Sequence, residues 1–362
     1  MMCNLYSPHN YHNMLTFRGL SQSPRIFIKK LIFVQNNAIL SLGDIMRELI
    51  ISENEGGQRL DKYLSKRFKT MPQSLIYKYL RTKKIKLNGK KALPNGFICC
   101  GDVLTLYIPE EFFEEKAEEL AFTHVKPKLS VIYEDENILL VDKPIGMLCH
   151  SDDNEGYNTL INHIKAYLSE KGEYDVSEAF APALCNRIDR NTCGIVIAAK
   201  TAEALRDMNE RIRNRSVTKQ YLAAVHGSPS PAVGTITDYI RKDSSQNRVY
   251  LSKDKRSSMD KSAVTKYKVI ETKGDVSLVE VELITGRTHQ IRAHFAGKGH
   301  PLLGDGKYAI NKKDRQLGYS YQSLCAYRLK FNKAEPDSLS YLDGKTFYSS
   351  TPDFLKLFKY RF

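Results

Sequence analysis

The side chains best suited to chemistry lie in the run 186–194, where an aspartate stands between two arginines. The run reads Asn-Arg-Ile-Asp-Arg-Asn-Thr-Cys-Gly, so that Asp189 is flanked by Arg187 and Arg190, and the apolar residues 195–199 follow. An apolar run of this length predicts a strand that is buried on both faces. A strand end or a tight turn would hold both guanidinium groups near the carboxylate and keep it ionised. An ordinary salt bridge at the mouth of a strand has the same pattern, so this run alone leaves the function open.

A second group of chemically useful side chains lies in the run 285–294, Thr-Gly-Arg-Thr-His-Gln-Ile-Arg-Ala-His. Thr288 is a suitable N-cap for a helix that would bury Ile291 and Phe295. Three histidines occur in this run or shortly after it: His289, His294 and His300. We expect no metal at these histidines, because no neighbouring carboxylate or cysteine completes a set of ligands.

Three runs resemble the signatures of the RluA-type pseudouridine synthases, and they occur in the family's order. The run 186–194 is similar to the family's H-R-L-D-x-x-T-S-G, residues 219–221 to its K-x-Y, and residues 286–292 to its G-R-x-H-Q-I-R. Two further stretches fit the family pattern, a K-P-x-G at 143–146 and a Gly-His-Pro-x-x-Gly-Asp at 299–305.

The resemblance implies an α+β catalytic domain with a mixed, mainly antiparallel sheet, and an enzyme that isomerises uridine in RNA without a cofactor. Asp189 takes the position of the family's catalytic aspartate, and Arg287 that of the arginine that pairs with it. The target base must leave its stack before it can react. By resemblance, Arg187 fills the vacated space and Tyr221 holds the extruded base. Taken alone, Tyr221 would be a core residue of the strand predicted over 218–225.

Four positions depart from the family pattern. They are Asn186 in place of histidine, Ile188 in place of leucine, Cys193 in place of serine, and Cys325 in place of the histidine of L-H-A. None of them removes the aspartate, the tyrosine or the arginine, so the implied reaction stands. The departures bear on the pocket and on the choice of substrate.

Residues 46–108 form a strongly basic segment. Between 56 and 108 there are 12 lysines and arginines against 2 aspartates, a balance of +10, while the whole chain carries +14. This density of positive charge favours nucleic acid as the partner over a merely solvated surface. We expect the following residues to contact RNA: Arg59, Lys78, Arg81, Lys83 and Lys84.

The pattern of this segment predicts two helices and a short hairpin. Leu60, Leu64 and Phe68 mark one helical face, and Ser74 is a suitable N-cap for the second helix. The strand 85–87 then runs into an Asn-Gly turn. These features resemble the S4 domain, which grips structured RNA with its second helix and the following loop.

The chain is expected to contain four segments. They are a poorly ordered lead (1–45), an S4-like module (46–108), an acidic linker (109–128) and a catalytic domain (129–362). Translation could begin at Met46. Within the catalytic domain, the polar and basic residues 238–262 predict a long excursion from the sheet.

The composition narrows the class of protein. The seven cysteines include no C-x-x-C pair and show no disulfide-framework spacing, which favours a reducing, cytoplasmic location. No run has the roughly 18 unbroken apolar residues that a bilayer span requires. We expect a cytoplasmic monomer that binds structured RNA, with no membrane and no protein partner.

Large-subunit ribosomal RNA is the expected substrate, given the attached S4-like module, and transfer RNA is the alternative within the same class. A non-catalytic RNA-binding protein that kept the fold is a rival, against which Asp189, Tyr221 and Arg287 argue. Glycoside hydrolysis is a second rival, but it would need another carboxylate opposite the first. The sequence suggests no such partner.

Overall fold

The computed structural model describes five stretches of the chain: residues 44–52, 55–113, 120–176, 180–243 and 245–361. The predicted lead before residue 44 and four of the linker's six glutamates lie outside these stretches. A strand already begins at Asp44, two residues before the predicted start of the basic module.

The basic module contains six strands and two helices among its described residues. In chain order they are β1 (Asp44–Ile50), β2 (Gln58–Arg59), α1 (Leu60–Arg67), α2 (Gln73–Arg81), β3 (Ile85–Leu87), β4 (Lys90–Lys91), β5 (Phe97–Ile98) and β6 (Val103–Pro109). One sheet has the order β1-β6-β3-β4, and β2 pairs with β5 in a second. Apolar side chains of both helices and of the strands form one buried cluster.

The predicted hydrophobic face and hairpin turn of this module are confirmed. Leu60, Leu64 and Phe68 are buried along α1 and at its end. Asn88 and Gly89, which connect β3 and β4, both have positive φ angles, as the tightest hairpin turns require.

The prediction that Ser74 caps the second helix is wrong. α2 begins at Gln73, and its N-cap is Pro72, two residues before Ser74, with φ −58° and ψ 142°. Because the proline ring restricts φ, the direction of the chain is set before Ser74 is reached.

The rest of the described chain contains eleven strands and five α-helices. The strands are β7 (Val131–Glu134), β8 (Ile138–Lys143), β9 (Ala183–Leu184), β10 (Cys193–Ala199), β11 (Val217–His226), β12 (Val233–Asp243), β13 (Arg248–Ser252), β14 (Lys261–Lys273), β15 (Val276–Leu283), β16 (Leu324–Phe331) and β17 (Thr346–Tyr348). The helices are α3 (Leu160–Glu170), α4 (Ala202–Arg213), α5 (Gln290–Gly297), α6 (Lys312–Gln316) and α7 (Asp353–Arg361). No helix within the described ranges is both long and apolar enough to cross a membrane.

These strands form one sheet with the main order β13-β12-β14-β15-β11-β16-β10-β8-β7, while β17 pairs with β16 and β9 with β10. Among the described ladders of this sheet, β10 and β16 are parallel and the others are antiparallel. The predicted mixed, mainly antiparallel sheet is therefore confirmed. This order places the start of β16 between the start of β10 and the middle of β11, where the candidate site lies.

β10 is buried on both faces, as its apolar run predicted. Val196 and Ala198 belong to the apolar cluster on one face, together with side chains of α3 and α5. Ile195 and Ile197 belong to the cluster on the other face, together with side chains of α4. Because both faces are packed, β10 is held in place and fixes the position of the turn that precedes it.

The prediction that residues 238–262 leave the sheet is wrong. β12 and β13 form an antiparallel hairpin at one edge of the sheet. The inward-facing side chains Ile236 and Ile240 are buried, while polar and charged residues occupy the outward positions. This alternation of buried and exposed side chains is that of a half-buried strand. The polar and charged residues at the outward positions made the segment look like a loop in the sequence.

Candidate active site

Asp189 lies on a tight turn that leads into β10. The amide of Thr192 donates to the carbonyl of Asp189 with an N···O distance of 3.1 Å, which closes the turn. Gly194 follows with a φ of 111°, and a Cβ at this position would collide with the carbonyl of Ala326 on β16. Because only glycine fits here, Gly194 sets how closely the two strands approach and where the turn sits.

A buried lysine joins this turn to the K-P-x-G loop. The Nζ of Lys143 donates to the carbonyls of Pro144, Met147 and Arg190 at 2.9, 2.8 and 3.0 Å. The amide of Gly146 donates to the same Arg190 carbonyl at 2.9 Å. Burial lowers the pKa of Lys143 to about 8. All three ammonium hydrogens are used by backbone carbonyls, so Lys143 holds the two loops together.

Asp189 pairs with Arg292 on the first turn of α5. The Nη1 of Arg292 donates to Oδ2 of Asp189 at 2.9 Å. Oδ1 accepts no hydrogen bond from the described residues, and the Asp189 side chain is 26% exposed. One carboxylate oxygen is thus fixed in place, and the other is left for a substrate.

The prediction that Arg287 pairs with the aspartate is wrong, because α5 begins later than the sequence pattern indicated. The helix starts at Gln290, and its N-cap is His289 rather than Thr288. The buried Gln290 side chain accepts a hydrogen bond from the Arg287 amide at 3.0 Å, which fixes the loop before the helix. Arg287 is exposed, and its Nε donates to the carbonyl of Ser262 at 3.1 Å. Its substrate-binding role stays a prediction.

Asp305 fixes the orientation of Arg292. The Nε and Nη2 of Arg292 donate to the two oxygens of Asp305 at 2.7 and 2.9 Å. The backbone amides of Lys307 and Tyr308 also donate to Oδ1 of Asp305, at 2.9 and 3.2 Å. Burial opposes the charge of Asp305, but the hydrogen bonds and charge of Arg292 outweigh it and lower the pKa of the carboxyl. The paired guanidinium therefore keeps one N–H directed at Asp189.

Tyr308 and His289 lie beside the Arg292 guanidinium. The Tyr308 hydroxyl accepts from the amide of Val249 at 3.0 Å and lies 3.0 Å from Nδ1 of His289. If the hydroxyl donates to Nδ1, the neutral imidazole carries its hydrogen on Nε2, which is 3.9 Å from Oδ2 of Asp189. Burial lowers the pKa of His289 despite the nearby aspartate charge, which favours this neutral form.

Tyr221 lies in the middle of β11, where the pairing with β16 shifts by one residue. Such irregularities re-aim side chains and are common next to active sites. The side chain is 6% exposed and shares an apolar cluster with Ile188 and Ile291. Burial, and after it the charge of Asp189, raises the pKa of the hydroxyl. The structure thus brings Tyr221 near the aspartate, while its base-holding role stays a prediction.

The two arginines that flank Asp189 in sequence do not hold it, contrary to the expectation from the run. The Nε of Arg190 donates to the carbonyl of Gly146 at 3.0 Å. Arg187 is exposed and forms no hydrogen bond or ion pair with the described residues. The guanidinium that holds the carboxylate comes from α5, about a hundred residues later.

The four departures from the family pattern surround the turn. The Oδ1 of Asn186 accepts from the amide of Ile197 at 2.8 Å, so this side chain supports β10. Ile188 is buried in the apolar cluster below the turn. Cys193 and Cys325 occupy matched positions on β10 and β16.

The histidines of the second run have separate surroundings. His294 is buried and its Nδ1 is bonded to the hydroxyl of Thr265 at 2.9 Å, while burial lowers its pKa to about 4. The Nδ1 of His300 lies 3.0 Å from the carbonyl of His226. Within the described ranges, no group of three or more histidine, cysteine, aspartate or glutamate side chains could hold a metal ion.

The predicted RNA-binding residues fall into two groups. Four of them lie at the end of α2 and in the loop that follows: Lys78, Arg81, Lys83 and Lys84. Arg59 instead forms a bidentate pair with the buried Asp61, at 3.1 and 2.8 Å. The pair already occupies two of the guanidinium's donors, so Arg59 is less available to a phosphate than the other four.

The site offers one free carboxylate oxygen, Oδ1 of Asp189. The second carboxylate that binds Arg292 is that of Asp305, and neither of its oxygens is free. Both oxygens of Asp305 accept hydrogen bonds from Arg292, and one also accepts from backbone amides. Glycoside hydrolysis needs two available carboxyl groups, which this pair does not supply. A single free carboxylate beside a fixed guanidinium suits attack on a sugar or a base, or removal of a proton.

Sequence reasoning missed Arg292, Asp305 and Tyr308 as parts of one network. A signal for Arg292 existed, since it is a charged residue next to Ile291 in a helix predicted to bury Ile291 and Phe295. Asp305 was part of a matched stretch, but nothing in the sequence indicated its partner. Tyr308 could not have been found, because its hydrogen bonds join it to Val249 on β13 and to His289 before α5, which only the fold brings together.

Comparisons with known proteins bear on the family to which this chain belongs. The family model described as RNA pseudouridylate synthase matches residues 137–297. An uncharacterised RNA pseudouridine synthase of Mycoplasma genitalium is 33% identical over 321 residues, which is 87% of this chain and 98% of that protein. Ribosomal large subunit pseudouridine synthase C of Escherichia coli is 31% identical over 293 residues, which is 78% of this chain and 87% of that protein.

A solved structure shows the same fold. It is the human protein named RNA pseudouridylate synthase domain containing 4, which matches with a TM-score of 0.50 and 24% identity over 66% of this chain and 93% of that structure. The sequence relatives go further, because they are 31–33% identical over 78–87% of this chain. This protein therefore belongs to the RluA-type family of RNA pseudouridine synthases and is an isomerase.

Proposed function

We propose that this enzyme isomerises specific uridines in structured large-subunit ribosomal RNA, with Asp189 as the catalytic carboxylate. The observation that carries the proposal is the asymmetry of this carboxylate. Oδ2 is held by Arg292 at 2.9 Å, while Oδ1 is free of hydrogen bonds from the described residues and the side chain is 26% exposed. A group that is held at one oxygen and free at the other is positioned to react.

The reaction requires little beyond this carboxylate. The N1–C1′ bond breaks, the uracil turns, C5 bonds to C1′ and the C5 proton leaves. Asp189 can act covalently on the base or the sugar, or it can remove a ribose proton. No electron or phosphoryl group is transferred, so the proposed reaction needs no cofactor.

The target uridine must be extruded from its stack, which costs a few kcal/mol. Arg187 is exposed two residues before Asp189, and we assign it to the space that the base vacates. Tyr221 is assigned to hold the extruded base. Arg287, exposed on the loop before α5, is assigned to the RNA backbone nearby.

Two observations support ribosomal RNA as the substrate. The relative from Escherichia coli is named for the ribosomal large subunit. The module before the catalytic domain has a balance of +10 between residues 56 and 108 and presents exposed cations at the end of α2. Such a surface, which we propose to be S4-like, suits the phosphates of folded RNA.

Mapping of pseudouridines in total RNA, from cells with and without this protein, tests the proposal. We expect one or a few positions in large-subunit ribosomal RNA to lose the modification, and Asp189→Asn not to restore it. Loss of positions in transfer RNA instead would move the substrate to that class. If no position in any RNA changes, the protein is not acting as a pseudouridine synthase.

A further inference from the structure

Two thiols stand opposite each other where β10 and β16 begin. Cys193 and Cys325 are register partners in the parallel ladder, and Gly194 and Ala326 are the next pair. The proposed chemistry at Asp189 uses neither thiol. Both are free, and they pack against the same apolar cluster, which lies on the face of the sheet covered by α7.

The spacing of these two positions suits a covalent link. Neighbouring strands lie about 4.7–4.9 Å apart, and disulfides join residues whose Cα atoms are roughly 4.4–6.8 Å apart. Register partners also point to the same face of a sheet. At the adjacent pair, Gly194 has no side chain and the carbonyl of Ala326 occupies the place of its Cβ, so the two backbones already lie close together.

The two thiols have different environments. Cys193 is partly exposed, and its Sγ lies 3.8 Å from the carbonyl oxygen of Leu324. Cys325 is 1% exposed, with its Sγ 3.4 Å from the hydroxyl of Ser349. A hydrogen bond from Cys325 lowers the pKa of the Cys193 thiol even though burial opposes this, while the same contact and burial raise the pKa of Cys325. Cys193 is therefore the thiol that ionises first and that a reagent can reach.

We propose that Cys193 and Cys325 form a site of reversible oxidation, at which a low-molecular-weight disulfide converts the pair into an internal disulfide. The Cys193 thiolate attacks one sulfur of the reagent, which gives a mixed disulfide and releases one thiolate. Cys325 then loses its proton and attacks the Cys193 sulfur, which releases the second thiolate. The pair loses two electrons and two protons, and the reagent is reduced to two thiols.

The disulfide should slow the isomerase. This effect on the rate rests on the proposed function, but formation of the disulfide does not depend on it. A disulfide draws its Cβ atoms to about 3.8 Å, roughly 1 Å closer than strand spacing provides. Cys193 follows Thr192, whose amide closes the Asp189 turn, and Cys325 pairs with Leu222 next to Tyr221. A misplacement of about 1 Å that reaches the reacting groups can cost about 100-fold in rate.

The other described thiols lack such an arrangement. Burial raises the pKa of Cys149, whose Sγ lies 3.4 Å from the carbonyl oxygen of Ile188. Burial also raises the pKa of Cys185 to about 12. Cys99 and Cys100 are exposed, but they follow β5 in the basic module and are not partners across two strands.

The test exposes the full chain to graded mixtures of reduced and oxidised glutathione. Peptide mapping without reduction reports the link, and single-turnover isomerisation of transcribed large-subunit ribosomal RNA reports the rate. Cys193→Ser and Cys325→Ser remove one thiol each, and Cys185→Ser is the matched control. The link and the loss of about 100-fold should occur in the wild type and in Cys185→Ser, should be absent from the other two variants, and should be reversed by dithiothreitol.

Absence of the linked peptide at every glutathione ratio would overturn the site. A link that leaves the rate unchanged would overturn its effect on turnover, and an equal loss in Cys193→Ser would assign the effect to another thiol. If the reduced protein does not isomerise this RNA at all, the proposed substrate fails, while the peptide map still decides whether the oxidation site exists.

Discussion

The candidate active site around Asp189 and the basic module both concentrate charge, but they place it in opposite environments. Arg292 is 6% exposed and Asp305 is fully buried, and each is bonded to the other. In the module, Lys78, Arg81 and Lys83 are exposed. Buried charges must be paired to be tolerated, whereas exposed lysines stay hydrated until a polyanion displaces their counterions.

The difference separates two physical tasks. Paired, buried charges have one geometry, and we expect them to determine the rate of the chemical step. Exposed charges have many geometries, and we expect them to determine affinity and its dependence on salt. Substitutions in the two regions should therefore change different measurements.

The largest effect is expected from Asp189→Asn in the candidate active site. The amide keeps the shape of the side chain but cannot act as a nucleophile or a base, so isomerisation should fall by roughly 10⁴-fold or more. RNA binding and folding should stay near the wild-type level. Single-turnover assays together with a binding titration check this, and substantial turnover by the folded variant would show that another group performs the chemistry.

Replacement of Arg292 by lysine should have the next largest effect. An ammonium group cannot bond Asp305 through two parallel N–H groups and still reach Asp189, so the carboxylate loses its fixed position. We expect a loss of about 100-fold in the saturated rate. Arg287→Lys is the matched control, because its side chain bonds the Ser262 carbonyl instead, and it should cost less. The reverse order would return Arg287 to the role of Asp189's partner.

Asp305→Asn should lower the saturated rate by roughly 10-fold, because it weakens a charge-assisted contact worth about 1.5–3 kcal/mol. It should also lower the free energy of unfolding by about 3 kcal/mol, since it leaves Arg292 buried with less compensation. The pKa of Asp305 is lowered in the folded protein, so this stabilisation is present above the unfolded pKa of about 3.9 and is lost as pH falls through the folded pKa.

Denaturant unfolding of wild type and Asp305→Asn at several pH values measures that difference. The gap between the two proteins should be full at neutral pH and should shrink as pH falls below about 4. A gap that stays constant down to low pH would mean that the charge of Asp305 does not stabilise the fold.

The smallest effect on the chemical step is expected from the module. Replacement of Lys78, Arg81, Lys83 and Lys84 by alanine should weaken binding to long structured RNA and flatten the salt slope by about one unit per lost phosphate contact. The rate at saturating RNA should change little. Single-turnover isomerisation against RNA concentration at several salt concentrations separates affinity from rate.

A matched control removes four exposed lysines from the C-terminal part of the chain: Lys330, Lys333, Lys356 and Lys359. It lowers the net charge equally, so it should reproduce only the part of the effect that comes from net charge. If the module variant binds normally but its saturated rate collapses, the module is part of the active site and the division between the two regions is wrong.

Much of the framework could be predicted from sequence because its signals are local. The apolar run 195–199 predicted a strand buried on both faces, and the Asn-Gly pair at 88–89 predicted a tight turn, and both are present. The reaction class was implied by the resemblance of three runs to the family signatures, and the relatives also belong to that class. The strand and turn signals depend on side-chain type and periodicity, which the chain carries regardless of its partners.

The tertiary structure decided which groups meet. Arg287 and Arg292 belong to the same short run, and only the observed start of α5 at Gln290 turns Arg292 toward Asp189. Cys193 and Cys325 are 132 positions apart in the chain and become neighbours only through the parallel pairing of β10 with β16. Contacts of this kind depend on strand order and helix phase, which arise when distant segments pack together, so no local pattern in the sequence specifies them.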